Sequence, residues 1–119
     1  MAGPFGWQLL LDLYDCDEYR IRSRAEIARF ALELCDRLGM RRFGDPLIEH
    51  FGHEKPETAG HSLVQLIETS AVVGHFSEFK RAAYLDIFSC KEYDAEAVSD
   101  FAQGFFCAQR MVKRLIERP

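Results

Sequence analysis

The chain has 119 residues, of which 48% are hydrophobic, and it carries a formal net charge of −4. This composition excludes a disordered chain, and the acidic balance argues against nucleic acid as the main partner, because phosphate binding needs a basic surface. No apolar run reaches the roughly 18 residues of a membrane span, and the first residues lack the pattern of a signal peptide. We therefore expect a single cytoplasmic domain over residues 1–119, without nucleic acid or membrane partners.

The first segments of the chain predict a strand and then a helix. Residues 6–14 are apolar with partial alternation, which is typical of a strand with one solvated face. Ser23 and Glu26 form a capping-box pattern, and Gly39 supplies a left-handed stop. Between them, apolar residues recur at helical spacing and predict a buried stripe. The stripe consists of Ile27, Phe30, Ala31, Leu34 and Leu38.

The rest of the chain favours several short strands and a second helix. We predict strands over 46–51, 62–67, 71–73 and 82–90. A polar, turn-rich loop is expected over 53–60. Asp94 is expected to cap a helix whose apolar stripe includes Phe101 and Phe105. The tail over 111–116 fits either a helix or a last strand, and periodicity alone does not decide between them.

This order of elements predicts an α+β fold in which an antiparallel sheet carries helices on one face. The other face of such a sheet needs a cover. A second copy of the chain is the simplest cover, and the ten phenylalanines also suggest a second buried surface. We therefore expect an α/β sandwich completed by a homodimer.

The four cysteines of the chain are candidates either for disulfides or for free thiols. Cys16, Cys35, Cys90 and Cys107 are widely spaced without a CxxC motif, which favours free thiols over two disulfides.

The histidines His50, His53 and His61 lie near several glutamates in the sequence. The His50-x-x-His53 spacing suits a metal only on a helix, whereas Gly52 and Pro56 indicate a loop. We therefore predict no metal.

The segment from Gly60 to Cys90 carries serine, histidine and cysteine on neighbouring predicted strands. A generic nucleophile pair of serine and histidine is compatible with this composition. No Gly-x-Ser-x-Gly elbow is present, so a hydrolase is weakly supported. From the residue type alone, Ser70 could equally have a structural role, with its hydroxyl hydrogen-bonded to the backbone at a break between two strands.

The spacing of four residues resembles a known family. Ser62 lies eight residues before Ser70, His75 lies five after it, and Cys90 lies fifteen after His75. Together with the ending Asp-Ile-Phe-Ser-Cys at 86–90, this pattern resembles the small prokaryotic S-adenosylmethionine decarboxylases. The first strand, with Tyr-Asp-Cys-Asp at 14–17, is also similar, and the resemblance is weakest over 22–59.

The resemblance implies a proenzyme that cleaves itself between Thr69 and Ser70. Ser70 would become a pyruvoyl cofactor that holds the substrate amine as a Schiff base, with no metal or pyridoxal phosphate. His75 would act as the base of the elimination step, and Ser62 would bind the attacked carbonyl. Cys90 would donate a proton during decarboxylation, and the product would serve spermidine biosynthesis. Such cleavage also implies a strained local backbone.

Three departures from the family pattern affect cleavage and substrate recognition. Thr69 stands where the family has glutamate, and Glu68 lies one position earlier. Glu78, which would correspond to a ribose-binding glutamate, lies one position nearer to His75 than in the family. The loop after Phe51 looks longer than usual, and Phe51 itself is the candidate for stacking on adenine.

Two alternatives therefore stay open beside S-adenosylmethionine decarboxylation. The same chemistry could act on arginine or ornithine, whose side-chain cation needs an acid, and Glu68, Glu78 and Asp86 are available. An uncleaved relative that only binds a small molecule or a partner chain is the other alternative.

Overall fold

The computed structural model describes residues 3–119, which form six strands, three α-helices and a short 3-10 helix. The strands are β1 Gly6–Tyr14, β2 Leu47–Phe51, β3 Gly60–Ile67, β4 Ser70–Ser77, β5 Ala82–Ser89 and β6 Arg110–Arg118. The α-helices are α1 Glu18–Arg22, α2 Arg24–Leu38 and α3 Ala95–Phe106, and the 3-10 helix is Pro56–Thr58.

All six strands form one antiparallel sheet in the order β2-β3-β4-β5-β1-β6. The strands β2 to β5 follow one another as hairpins, and α3 then returns the chain to the far edge, where β6 pairs with β1. The tail, which periodicity left open, is therefore a strand. Cys107 ends α3 with a left-handed φ of 53°, so the chain reverses there and enters β6.

Helices α2 and α3 begin where the sequence predicts. The Ser23 hydroxyl accepts a hydrogen bond from the Glu26 amide at 3.1 Å. The Asp94 carboxylate accepts a hydrogen bond from the Ala97 amide at 3.0 Å. The second half of the capping box is not made, because the Glu26 carboxylate pairs with Arg29 instead. Helix α1 was not predicted; Asp17 caps its first turn, because the Asp17 carboxylate accepts a hydrogen bond from the Arg20 amide.

One face of the sheet and the helices enclose the hydrophobic core. Side chains alternate along each strand, so every second residue of β1 is directed to this face. Leu9, Leu11 and Leu13 are buried there against Phe30 of α2 and Phe106 of α3. The α+β prediction with helices on one face is confirmed. None of the helices in residues 3–119 is long and apolar enough to cross a membrane.

The opposite face of the sheet, called here the open face, carries no helix in the part of the chain that the structure describes. It consists of the residues that alternate with the core positions. Several are large, apolar and exposed: Leu47, Phe51, Val64, Leu66, Val112 and Ile116. Leu47 and Val64 are direct partners across β2 and β3, so this part of the apolar surface is continuous, as is typical of a protein interface.

Candidate active site

The first part of the predicted site lies at the turn between β3 and β4. Glu68 and Thr69 form this turn, and Ser70 opens β4 opposite Ile67. Cys90 follows the end of β5, and its backbone amide donates to the carbonyl of Thr69 at 2.9 Å. We call Glu68, Thr69, Ser70 and Cys90 the turn end. The chain thus brings together the predicted cleavage site and the predicted proton donor.

The Ser70 hydroxyl is half-buried on the helix side of the sheet. It donates to the sulfur of Met40 at 3.0 Å and lies 3.4 Å from the Thr69 hydroxyl. Cys90 is exposed. Among the non-glycine residues of 3–119, a left-handed φ occurs only at Asp15, Arg81 and Cys107. The strain expected at the cleavage site therefore does not take the form of a left-handed backbone at Thr69 or Ser70.

The second part of the predicted site lies at the other end of the same hairpin. Ser62 and His75 are direct partners across β3 and β4, and their Oγ and Nδ1 atoms are hydrogen-bonded at 3.2 Å. Tyr84 lies opposite His75 on β5. We call Ser62, His75 and Tyr84 the cavity end, because they line a cavity of about 300 Å³.

Sequence reasoning missed most residues of this cavity wall. Tyr84, Glu57 and Thr58 line it together with the predicted Ser62 and His75. Tyr84 was assigned to a strand, and its register opposite His75 follows from the β4–β5 pairing. Glu57 and Thr58 belong to the 3-10 helix, whose position no sequence signal indicated.

The two ends are far apart within one chain. His75 follows Ser70 by five residues on a continuous strand, a distance of about 16 Å at the usual rise per residue. An odd spacing also directs the two side chains to opposite faces of the sheet. Within one chain, Ser62 and His75 therefore cannot reach the Thr69–Ser70 bond, and the predicted site is divided.

The three candidates for substrate binding are distributed over both ends. Phe51 is exposed on the open face, one strand away from Ser62 at the cavity end. Glu68 lies in the turn, with its carboxylate 3.7 Å from Arg41. Glu78 is turned away from the Ser62–His75 pair, because its carboxylate accepts a hydrogen bond from the Nε2 atom of His50 at 2.8 Å. This geometry gives no support to a substrate contact for Glu78.

All four cysteines, which lie within the described residues, are free thiols. Cys16 and Cys35 are buried, whereas Cys90 and Cys107 are exposed. Burial raises the pKa of Cys16 to about 12 and also raises the pKa of Cys35. Cys90 at the turn end is thus an accessible thiol beside Ser70.

Comparisons with known proteins agree with this fold. The sequence profile of the S-adenosylmethionine decarboxylase family matches residues 7–119. The solved structure of the adenosylmethionine decarboxylase from Aquifex aeolicus VF5 is similar, with a TM-score of 0.83 and 19% sequence identity over 98% of this chain and 92% of that chain. No curated protein matches the sequence. Because the family profile spans nearly the whole sequence, the chain belongs to the S-adenosylmethionine decarboxylase family.

Proposed function

We propose that this protein is a self-processing, pyruvoyl-dependent decarboxylase of S-adenosylmethionine that serves spermidine biosynthesis. The observation that carries the proposal is the hydrogen bond from the Cys90 amide to the Thr69 carbonyl at 2.9 Å, beside the Ser70 hydroxyl. A carbonyl that accepts such a bond is polarised for attack, and the same donor stabilises the oxyanion that forms. Membership of the family supports the same chemistry.

Processing begins when Ser70 Oγ adds to the carbonyl carbon of Thr69. The peptide C–N bond breaks, the Ser70 nitrogen takes up a proton, and an ester joins the two segments. A base then removes the Cα proton of residue 70 while the Cβ–Oγ bond breaks. One segment ends in the Thr69 carboxylate. The other begins with dehydroalanine, which takes up water and releases ammonia to leave the pyruvoyl group.

The pyruvoyl group supplies a carbonyl that takes up the electron pair released when carbon dioxide leaves the substrate. Cys90 is the residue of the turn end that can then return a proton to the α-carbon. Its thiol is exposed, and its backbone is held at the start of β4 by the bond to Thr69. The protein thus uses the amide of Cys90 in processing and its thiol in catalysis.

A second copy of the chain would complete the site. His75 is the candidate base and Ser62 a candidate donor, but both lie at the cavity end, about 16 Å from Ser70. Two copies related by a twofold axis, packed through their open faces, would bring the cavity end of one chain to the turn end of the other. The exposed apolar residues Val64 and Leu66 lie on that face between the two ends.

The surroundings of the acidic residues favour S-adenosylmethionine over arginine or ornithine. An amino-acid side-chain cation would need a free carboxylate. The three candidates each have a partner: Asp86 accepts from Gln8 at 3.0 Å, Glu78 from His50 at 2.8 Å, and Glu68 lies 3.7 Å from Arg41. Phe51, in contrast, offers an exposed aromatic ring on which a nucleobase can stack.

The proposal is tested by intact-mass spectrometry of the purified protein beside a Ser70→Ala variant. We expect two fragments from the wild type, one ending at Thr69 and one beginning with a pyruvoyl group, and one uncut chain from the variant. Carbon dioxide release is then measured with S-adenosylmethionine, arginine and ornithine, and we expect release from the first alone. A wild-type chain that stays uncut on long incubation would contradict the proposal and favour the non-catalytic relative.

A further inference from the structure

Two histidines and a glutamate converge at the edge of the sheet on the side that carries the helices. His50 of β2 lies directly opposite His61 of β3, and Glu78 follows the end of β4. Their ligand atoms all lie within 4.8 Å of one another. His50 Nε2 is 2.8 Å and His61 Nδ1 is 3.9 Å from the same carboxylate oxygen of Glu78. Three elements thus direct two nitrogens and one oxygen to one point.

His61 is the most informative member of this cluster. It is only 9% exposed, and its Nδ1 atom is buried without a hydrogen-bond partner in the part of the chain that the structure describes. Buried polar atoms are nearly always satisfied. The Nδ1 atom of His61, which faces a carboxylate and a second imidazole, is therefore available as a ligand for a metal ion.

The Glu78 carboxylate lies between the two imidazole rings, since the same oxygen faces His50 Nε2 and His61 Nδ1. The other carboxylate oxygen of Glu78 forms an ion pair with Arg22, whose Nε atom lies 3.7 Å away. Partners of this kind orient the ligating carboxylates of metal sites.

We propose that His50, His61 and Glu78 bind a zinc ion, with the fourth coordination position open. A set of two imidazoles and one carboxylate is a common zinc set when three protein ligands are used. Ligand atoms in a tetrahedral zinc site lie roughly 3.4 Å apart, so shifts of about 1 Å suffice to form it. The His50 ring stacks on His53 at 4.9 Å, which makes His53 the nearest further imidazole.

The zinc ion would tie the five-residue edge strand β2 to β3 and to the end of β4. His61 also lines the cavity that holds Ser62 and His75, so the ion would fix the wall of that cavity. This site is independent of the proposed decarboxylation, since none of its three ligands takes part in the processing or proton-transfer steps.

The test is a titration of the chelator-treated, full-length protein with Zn²⁺ in competition with a chromogenic chelator. We expect one zinc per chain with a dissociation constant below about 1 µM, as in sites with several protein ligands. His50→Asn and Glu78→Gln should each weaken binding by about 100-fold or more, since even loss of an outer partner costs 10–100-fold. The matched controls His53→Asn and Glu57→Gln should stay within about threefold of the wild type.

Thermal unfolding separates loss of the site from loss of the fold. Zn²⁺ should raise the melting temperature of the wild type and the controls, but not that of His50→Asn, because only binding to the native state stabilises it. His50 is partly exposed, so this variant is expected to fold without metal. A wild-type dissociation constant above about 10 µM, or undiminished binding by His50→Asn and Glu78→Gln, would overturn the proposal.

Discussion

The turn end and the cavity end of the β3–β4 hairpin differ in what each can do alone. The turn end holds the Ser70 hydroxyl, the hydrogen-bonded carbonyl of Thr69 and the Cys90 thiol, but it has no imidazole. The cavity end holds His75, paired with Ser62, beside a cavity of about 300 Å³, but it has no bond to cleave. Each end thus contains half of the chemistry. We therefore propose that the functional unit is a pair of chains rather than one.

The largest effect is expected from removing the base at the cavity end. His75→Ala should slow cleavage of the Thr69–Ser70 bond by about 100-fold or more, because a positioned base contributes that much to proton transfer. The appearance of the two fragments over time, followed by mass spectrometry, measures the rate. His53→Ala is the matched control and should cleave like the wild type. Normal cleavage by His75→Ala would remove the cavity end from the processing step.

A change at Cys90 should separate the two roles of the turn end. Cys90→Ser keeps the backbone amide that contacts Thr69, so cleavage should proceed normally. The kcat for decarboxylation should fall by about 10²–10⁴-fold, because the thiol is lost as the proton donor. Steady-state carbon dioxide release measures this, with Cys107→Ser as the exposed-cysteine control. A kcat equal to that of the wild type would contradict the assignment of Cys90 as the donor.

A charge on the open face should affect both ends together. Leu66 is 53% exposed on that face near the β3–β4 turn, and Leu66→Lys should weaken the dimer by about tenfold or more and slow processing in parallel. Light scattering across a dilution series measures the association. Tyr19→Lys, on the helix side of the molecule, is the control and should leave the dimer intact. If Leu66→Lys dimerises like the wild type, the open face is not the interface.

The smallest functional effect is expected from the buried thiols. Because Cys16 and Cys35 are buried with raised pKa values, iodoacetamide should label only Cys90 and Cys107 in the native protein, and all four in denaturant. The unfolded Cys16 ionises near its ordinary pKa of 9.0, whereas the folded pKa is about 12. The free energy of unfolding should therefore fall as pH rises above about 9. Labelling of Cys16 in the native protein would contradict its burial.

Much of the fold follows from local patterns in the sequence. The caps at Ser23 and Asp94, and the alternation in β1, are local signals and appear where they were predicted. Helix α1 was missed because only Ile21 of its five residues is buried, which leaves no apolar stripe to detect. The tail became a strand because β1 offered a free edge, which is a tertiary effect.

The spacing of its residues predicted the candidate site. It did not lead us to expect that these residues lie at two opposite ends of the β3–β4 hairpin. The five-residue step from Ser70 to His75 already implies opposite faces of a strand, so alternation could have indicated the division. The histidine cluster was missed for a different reason. Along the chain, the histidine nearest to His50 is His53. In the fold, His50 lies opposite His61 across the β2–β3 hairpin, whose register the sequence alone does not define.

We propose that each site combines the turn end of one chain with the cavity end of another. Co-expression of a Ser70→Ala chain and a His75→Ala chain, each with its own tag, allows mixed dimers to be purified. We expect the His75→Ala chain to be cleaved within these dimers, which should show about half of the wild-type decarboxylase activity, because one of two symmetric sites is intact. Mixed dimers in which neither chain is cleaved would contradict the claim.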